Sequence, residues 1–157
     1  VAITDTYTVV AATFERKGST DYSGVVYVYN TVTGSLARTI LNPTTGGGQF
    51  GLSIAVYEDH LLIGAVIGAD GNSGYLGVSY IFDVTTGTLI RTLDNPNHFV
   101  GTNGDDLFGW SVGISGKYAI VGSHQEDTSN SASGTDVGKA YILFSYTHLT
   151  LPTKRIV

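Results

Sequence analysis

The stretch "YIFDVTTGTLIRTLDNP", Tyr80 to Pro96, repeats "YVYNTVTGSLARTILNP", Tyr27 to Pro43, at a constant offset of 53 residues. Tyr, Gly, Leu, Arg, Thr, Asn and Pro recur in register, so the match is a true internal repeat, and a repeat has to be read before any single motif. Working outward, "FGLSIAVYEDHLLIGA" (Phe50 to Ala65) aligns with "FGWSVGISGKYAIVGS" (Phe108 to Ser123), and "VAITDTYTVVAA" at the start aligns with Ile54 to Ala65. "GVVYVY" at Gly24 returns as "GVSYIF" at Gly77 and "GKAYIL" at Gly138. Each unit spans about 53 to 61 residues, the range in which propeller blades fall.

Each unit holds four strand-like runs. In the second these are Gly51 to Tyr57, His60 to Ala65, Gly77 to Asp83 and Thr88 to Leu93. Four short antiparallel strands make one blade. The turns "NTVTG" and "DVTTG" end in a glycine suited to a hairpin closed by a bulge, and the pre-proline Asn42 and Asn95 leave the sheet extended toward the next blade. The expected fold is all-β, a partial β-propeller of slightly under three four-stranded antiparallel blades, with units at about 1–49, 50–107 and 108–144.

Composition agrees. The chain of 157 residues has 21 Gly, 10 Tyr and only 13% charged residues, a mixture that favours short strands and tight turns. A net charge of -5 with scattered Lys and Arg excludes a nucleic-acid surface. No apolar run reaches the length of about 18 residues needed to span a membrane. The absence of cysteine removes disulfides, thiolate metal sites and thiol nucleophiles. Because the chain has no methionine, Val1 is read as lying inside a longer protein, with the natural start and any export signal missing.

Phe50-Gly51 with Gly64-Ala65, and Phe108-Gly109 with Gly122-Ser123, resemble the FG and GAP signatures of FG-GAP repeats, the β-propeller blades of integrin α-chain heads and of many bacterial secreted proteins. "GDDLFGWSVGISGKYAIVGS" is similar to the bacterial form, and the resemblance covers residues 1–144. No copy has the Pro of GAP, and the first copy reads Ala11-Ala12-Thr13. The resemblance implies a secreted or cell-surface microbial protein with further blades beyond this chain, commonly seven in all. "SYTHLTLPT", opening residues 145–157, resembles a translated sequencing-adaptor sequence of the kind that contaminates frames assembled from environmental (metagenomic) DNA. That segment is expected to be a non-native tail.

Several motifs invite chemistry. Gly109-Trp110-Ser111-Val112-Gly113 fits the G-x-S-x-G nucleophile elbow, but an elbow needs a strand, a sharp turn and a helix. Here strand follows strand, and Ser53 holds the same repeated place. "GGGQFG" (Gly46 to Gly51) fits a dinucleotide glycine pattern without the helix whose N-terminus would hold the phosphates. His60, His98 and His124 lack ligand spacing and are expected in exposed turns. Tyr27, Tyr80 and Tyr141, like Phe50 and Phe108, recur at one repeat position and are expected to pack between blades. Trp110, which replaces Leu52, is left open between packing and ligand contact.

The resemblance also brings calcium into question, because many FG-GAP blades hold it in a D-x-D-x-D-G loop between the FG and GAP strands. Here that interval is only "YEDH" or "SGK", too short to wrap a cation. The remaining metal candidates are Asp70 and Asn72 in one loop and Glu126, Asp127 and Asp136 in another, and solvated acidic loops are the ordinary meaning of such residues. No catalytic residue and no cofactor is expected.

The leading functional reading is a non-catalytic propeller segment that recognises a protein or glycan ligand through its loops, in adhesion for example. The segments after the GAP position, "TFERKGSTDYS", "VIGADGNSGYL" and "SHQEDTSNSASGTDV", differ while the strands around them repeat. The alternatives are a part of a propeller enzyme, quinoprotein-like or hydrolytic, which the hairpin "DVTTGTLIRTL" also resembles, and a purely structural spacer.

Overall fold

In a computed structural model, residues 1–16, 23–44, 48–67, 76–97, 106–126 and 137–144 are described, together with the backbone of Lys154–Ile156. Among them there is no helix, and so none long and apolar enough to cross a membrane. Three four-stranded antiparallel sheets follow one another along the chain. Blade 1 is β1 (Ala2–Ile3), β2 (Tyr7–Ala12), β3 (Val25–Asn30) and β4 (Leu36–Leu41). Blade 2 is β5 (Ser53–Tyr57), β6 (His60–Ala65), β7 (Val78–Asp83) and β8 (Leu89–Asp94). Blade 3 is β9 (Phe108–Ser115), β10 (Tyr118–Ser123), β11 (Lys139–Phe144) and β12 (Lys154–Ile156). The strands of blade 2 fall within two residues of those expected from sequence.

The hairpins follow from their turn residues. Tyr57 pairs His60 around Glu58-Asp59, and Ser115 pairs Tyr118 around Gly116-Lys117, two-residue loops with left-handed φ of 50° at Glu58 and 55° at Gly116. These are the two intervals read as too short for a calcium loop. In the β3–β4 and β7–β8 hairpins the side chains of Asn30 and Asp83 cap the turn. Asn30 Oδ1 accepts the amides of Val32 and Thr33 at 3.0 and 2.9 Å, and Asp83 Oδ1 those of Thr85 and Thr86 at 2.7 and 3.0 Å. Gly34 and Gly87 close both turns at φ 70° and 76°, and the ladders shift register beside them, as the bulged hairpin requires.

The core lies between the blades. Along β6, Leu61, Ile63 and Ala65 face blade 1 while Leu62 faces blade 3, and along β7 Tyr80 and Phe82 oppose Ile81 in the same way. The middle of blade 2 is therefore apolar on both faces, and β6 and β7 read as nearly continuous hydrophobic runs. The sheet order fixes two rims. The short β1–β2, β5–β6 and β9–β10 hairpins share one rim with the β3–β4 type turns, so the post-GAP segments and the blade-to-blade connectors leave from the other.

β12 pairs β11 with Ala140 opposite Ile156, the register in which Val26 opposes Ile40 and Ser79 opposes Leu93. An unpaired sheet edge accepts any extended segment through its backbone, so this pairing is independent of where residues 145–157 come from.

Candidate functional site

The repeat signature residues come together, and what they build is the joint between blades. Phe50 N donates to Ser23 O at 3.1 Å, and Phe108 N to Leu76 O at 3.2 Å, each reaching back to the previous blade. Gly51 and Gly109 have φ of 89° and 96°, a region costly for any residue with a Cβ. Such a Cβ would also meet the preceding blade: Ala11 Cβ at 2.7 Å from Gly51, and Val78 O at 2.8 Å with Ser79 Oγ at 2.9 Å from Gly109. Gly64 answers from the other side, since a Cβ there would strike the Gly109 carbonyl and Ser53 Oγ. Gly24 and Gly77 leave space in the same way for the backbones of Phe50 and Phe108. The FG glycine of each blade thus nests against the GAP position of the blade before it.

Ser53 shows what the serine of this pattern does. Its Oγ donates to Gly109 O at 2.6 Å, across the joint, and in joint 1/2 Thr13 Oγ1 reaches Gly51 O at 3.3 Å. Ser111 sits within β9 with four more strand residues after it, on the exposed face of blade 3, its Oγ against Gly122. The elbow geometry is absent there. Ala65 packs in the first core with Phe50, and Phe108 in the second.

The aromatic expectation holds for four of the five residues. Phe50 and Tyr80 are buried with ring centroids 5.8 Å apart, and Phe108 and Tyr141 repeat the pair at 5.8 Å. Tyr27, on the face of blade 1 turned away from blade 2, is half-buried and donates instead to Glu15 Oε1 at 2.5 Å. That hydrogen bond, then burial, raises its phenol pKa, whereas burial leads for Tyr80, partly offset by Thr44. Trp110 is 46% exposed and lies tilted against the exposed His124, with ring centroids 4.4 Å apart. His60 is no turn residue: it opens β6 opposite Tyr57 and Asp83. His98 lies outside the described residues.

Of the metal candidates, Asp70, Asn72, Asp127 and Asp136 lie outside the described residues. Glu126 corrects the reading of a solvated acidic loop, being 0% exposed at the joint between blades 2 and 3. Its Oε1 accepts from Tyr141 Oη at 2.5 Å, Asn97 Nδ2 at 2.8 Å and Lys139 Nζ at 3.2 Å, and Asn95 Nδ2 stands 3.4 Å from Oε2. Asn95 Nδ2 also donates to Asp106 Oδ2 at 2.9 Å, and Ser123 Oγ to Asp106 O at 2.6 Å. Two carboxylates, two amides, an ammonium and a phenol thus form a hydrogen-bonded layer under the loop rim, and the Glu126 charge is met by Lys139. Among the described residues no group of three or more His, Cys, Asp or Glu is placed to hold a metal.

Sequence reasoning missed this layer, yet a signal was present. Glu15 and Glu126 both stand four residues after the first GAP position (Ala11, Gly122), and both receive the repeated tyrosine.

Comparison with known proteins agrees with this architecture. Residues 101–144 match the FG-GAP repeat model. No curated protein matches the sequence. Among solved structures, a europium-containing methanol dehydrogenase superposes on 98% of this chain with a TM-score of 0.57 and 9% identity. The chain spans only 23% of that protein's length, and at that identity the likeness is one of fold.

Proposed function

We propose that this chain, an FG-GAP β-propeller-like protein, is a non-catalytic recognition scaffold. Its blades hold sequence-variable loops on one rim for a protein or glycan ligand, as an adhesion module outside the cell or on its surface does. The observation that carries the reading is the division of labour between the joints and the rim. The repeated Phe-Gly pairs and the GAP positions are used to weld blades, while the sheet order sends the segments that differ most between units off from one rim. A constant frame under variable loops is how binding surfaces are commonly built. Ser111 in mid-strand and the saturated Glu126 offer no nucleophile with its base, which supports the non-catalytic reading over an enzymatic one.

The test is binding to a glycan array and to a panel of immobilised extracellular proteins. Residues 68–75 and 127–136 would be replaced in turn by Gly-Ser segments of equal length. Specific binding that disappears with one replacement, at unchanged melting temperature, is the expected result. Binding indifferent to both replacements, or dye-linked alcohol oxidation by the intact chain, would overturn the proposal.

A further inference from the structure

Residues 98–105 connect blade 2 to blade 3, and residues 127–136 follow the GAP position of blade 3. The four residues that bound these two segments all close on the Glu126 layer. Asn97, which precedes the first segment, donates from Nδ2 to Glu126 Oε1 at 2.8 Å. Asp106, which follows it, is 2% exposed; its Oδ2 accepts from Asn95 Nδ2 at 2.9 Å and its carbonyl from Ser123 Oγ at 2.6 Å. Glu126 itself precedes the second segment. Val137, which follows that segment, donates its amide to Glu126 O at 3.1 Å, and Lys139, two residues on, reaches Oε1 at 3.2 Å. One buried residue thus fastens the ends of two segments, and its partner Asn97 lies 29 residues away in sequence. Every residue involved stands between two blades that the chain itself supplies.

Joint 1/2 fastens the same two places differently. Its connector is shorter, "PTTGGGQ" between Asn42 and Phe50 against "PNHFVGTNGDDL" between Asn95 and Phe108. There Gly48 meets Ile67 through main-chain hydrogen bonds of 3.2 and 3.4 Å. A main-chain bridge is indifferent to the side chains around it. In joint 2/3 a carboxylate does the holding, and hydrogen bonds to an ionised acceptor are the stronger kind. The longer connector is the one that Glu126 holds.

We propose that Glu126 is a positioning residue that yokes residues 98–105 to residues 127–136, so that the two segments serve as a single contact unit. The unit meets the ligand of the recognition reading, on which this inference rests. Yoked ends reduce the freedom that the two segments must give up on binding, and pre-organisation of that kind raises affinity without adding a contact. A change at the root of either segment is then felt by the other.

Amide exchange, measured by NMR on the full chain, tests the yoke without any ligand. Asn97→Ala removes one hydrogen bond and leaves Glu126 with Lys139 and Tyr141. Exchange at Val137 and through residues 127–136 is expected to quicken about tenfold, the worth of a hydrogen bond to a charged group, while residues 68–75 keep their rates. A second pair of variants separates the yoke from the burial of charge. Glu126→Gln with Lys139→Met retains an acceptor for Asn97 and should keep the parent's rates. Glu126→Leu with Lys139→Met removes the acceptor and should quicken exchange in residues 98–105 and 127–136 together. Rates in 127–136 that ignore Asn97→Ala, or that rise no more than those in 68–75, overturn the proposal, as does equal behaviour of the Gln and Leu variants. For a ligand found on the glycan array or the protein panel, replacing residues 98–105 by a Gly-Ser segment of equal length should abolish binding, as replacing 127–136 does. Binding that survives the replacement overturns the contact unit. If nothing on the array or panel binds, the recognition reading falls and the exchange rates still decide the yoke.

Discussion

The joint between blades 1 and 2 and the joint between blades 2 and 3 share a backbone and differ in what fills them. Both use the Phe amide to the previous blade, a left-handed glycine after it, and an Asn-Pro turn in which Asn42 or Asn95 caps the next residues. Joint 1/2 is then packed with hydrocarbon: Phe50 touches Tyr80 and Phe82, and Val78 and Val84 complete the core. Its polar contacts among the described residues are neutral, such as that of Thr44 with Tyr80 at 3.2 Å. Joint 2/3 has a smaller apolar cluster and places Lys139 where blade 2 has Val78, so that the ammonium meets Glu126. The lesson is that the backbone lock specifies the joint, and the side chains within it are free to be greasy or ionic so long as every buried charge is met.

The largest effect should come from breaking that ionic filling on one side only. Lys139→Met leaves Glu126 buried without its cation and should cost about 3–5 kcal/mol, as removal of one partner from a buried pair does. The double change Lys139→Val with Glu126→Leu should recover only part of the loss, because Tyr141 and Asn97 lose their acceptor as well. Urea denaturation measures both, and a single-variant loss below about 1 kcal/mol would mean that the pair is effectively solvated. Phe50→Ala should cost about 3–5 kcal/mol, with Phe108→Ala toward the lower end because, among the described residues, Phe108 has one aromatic neighbour where Phe50 has two. Equal losses would show that the second ring adds nothing.

Gly109→Ala tests the lock itself. Strain at φ 96°, together with contact on Val78 and Ser79, should cost about 1–3 kcal/mol or more. Gly116→Ala, also left-handed at φ 55° but with open space around it, should cost less; thermal melts that rank them the other way would remove the nest from the account. Ser53→Ala should cost about 1 kcal/mol, the worth of one hydrogen bond across the joint.

The smallest effect concerns the hairpins. The hydroxyl of Thr85, helped by the amides of Thr86 and Thr85, holds the Asp83 carboxyl below its ordinary pKa against the opposing effect of burial. Its anionic form is thus favoured by folding, so the contribution is complete above the ordinary carboxylate pKa of about 4 and fades as pH falls through the lowered folded value. Asn30 makes the equivalent turn without a charge. Asp83→Asn should therefore flatten the acid limb of the stability–pH curve slightly, and an unchanged limb would show that solvent screens the turn completely.

Fold and joint were legible in the sequence because both are repeated. Periodicity exposed the blades, and the recurrence of Phe50-Gly51 at Phe108-Gly109 marked a structural position before any contact was known. The Glu126 layer was hidden for a physical reason. Burial of Glu126 depends on Asn95 and Asn97 arriving from the previous blade's connector, about 30 residues away in the chain, and nothing local in "SHQEDTS" reports it. The left-handed Leu107 at φ 53° was hidden likewise: its counterpart Gln49, φ 61°, shares the turn but not the side chain, so the turn is set by the glycine two residues on. Asp70, Asn72, Asp127 and Asp136 lie outside the described residues, and the expectation attached to them stands as it was drawn from sequence.

The nest of Gly51 on Ala11 and of Gly109 on Gly64 also bears on how such a chain is lengthened. Each unit brings an FG glycine for its predecessor and a GAP position for its successor, and both act through backbone and bare space. A duplicated unit therefore arrives carrying both halves of its own fastening. It can be inserted between any two others without a new interface having to evolve, while the fillings of the joints and the loops of the rim diverge afterward at their own pace.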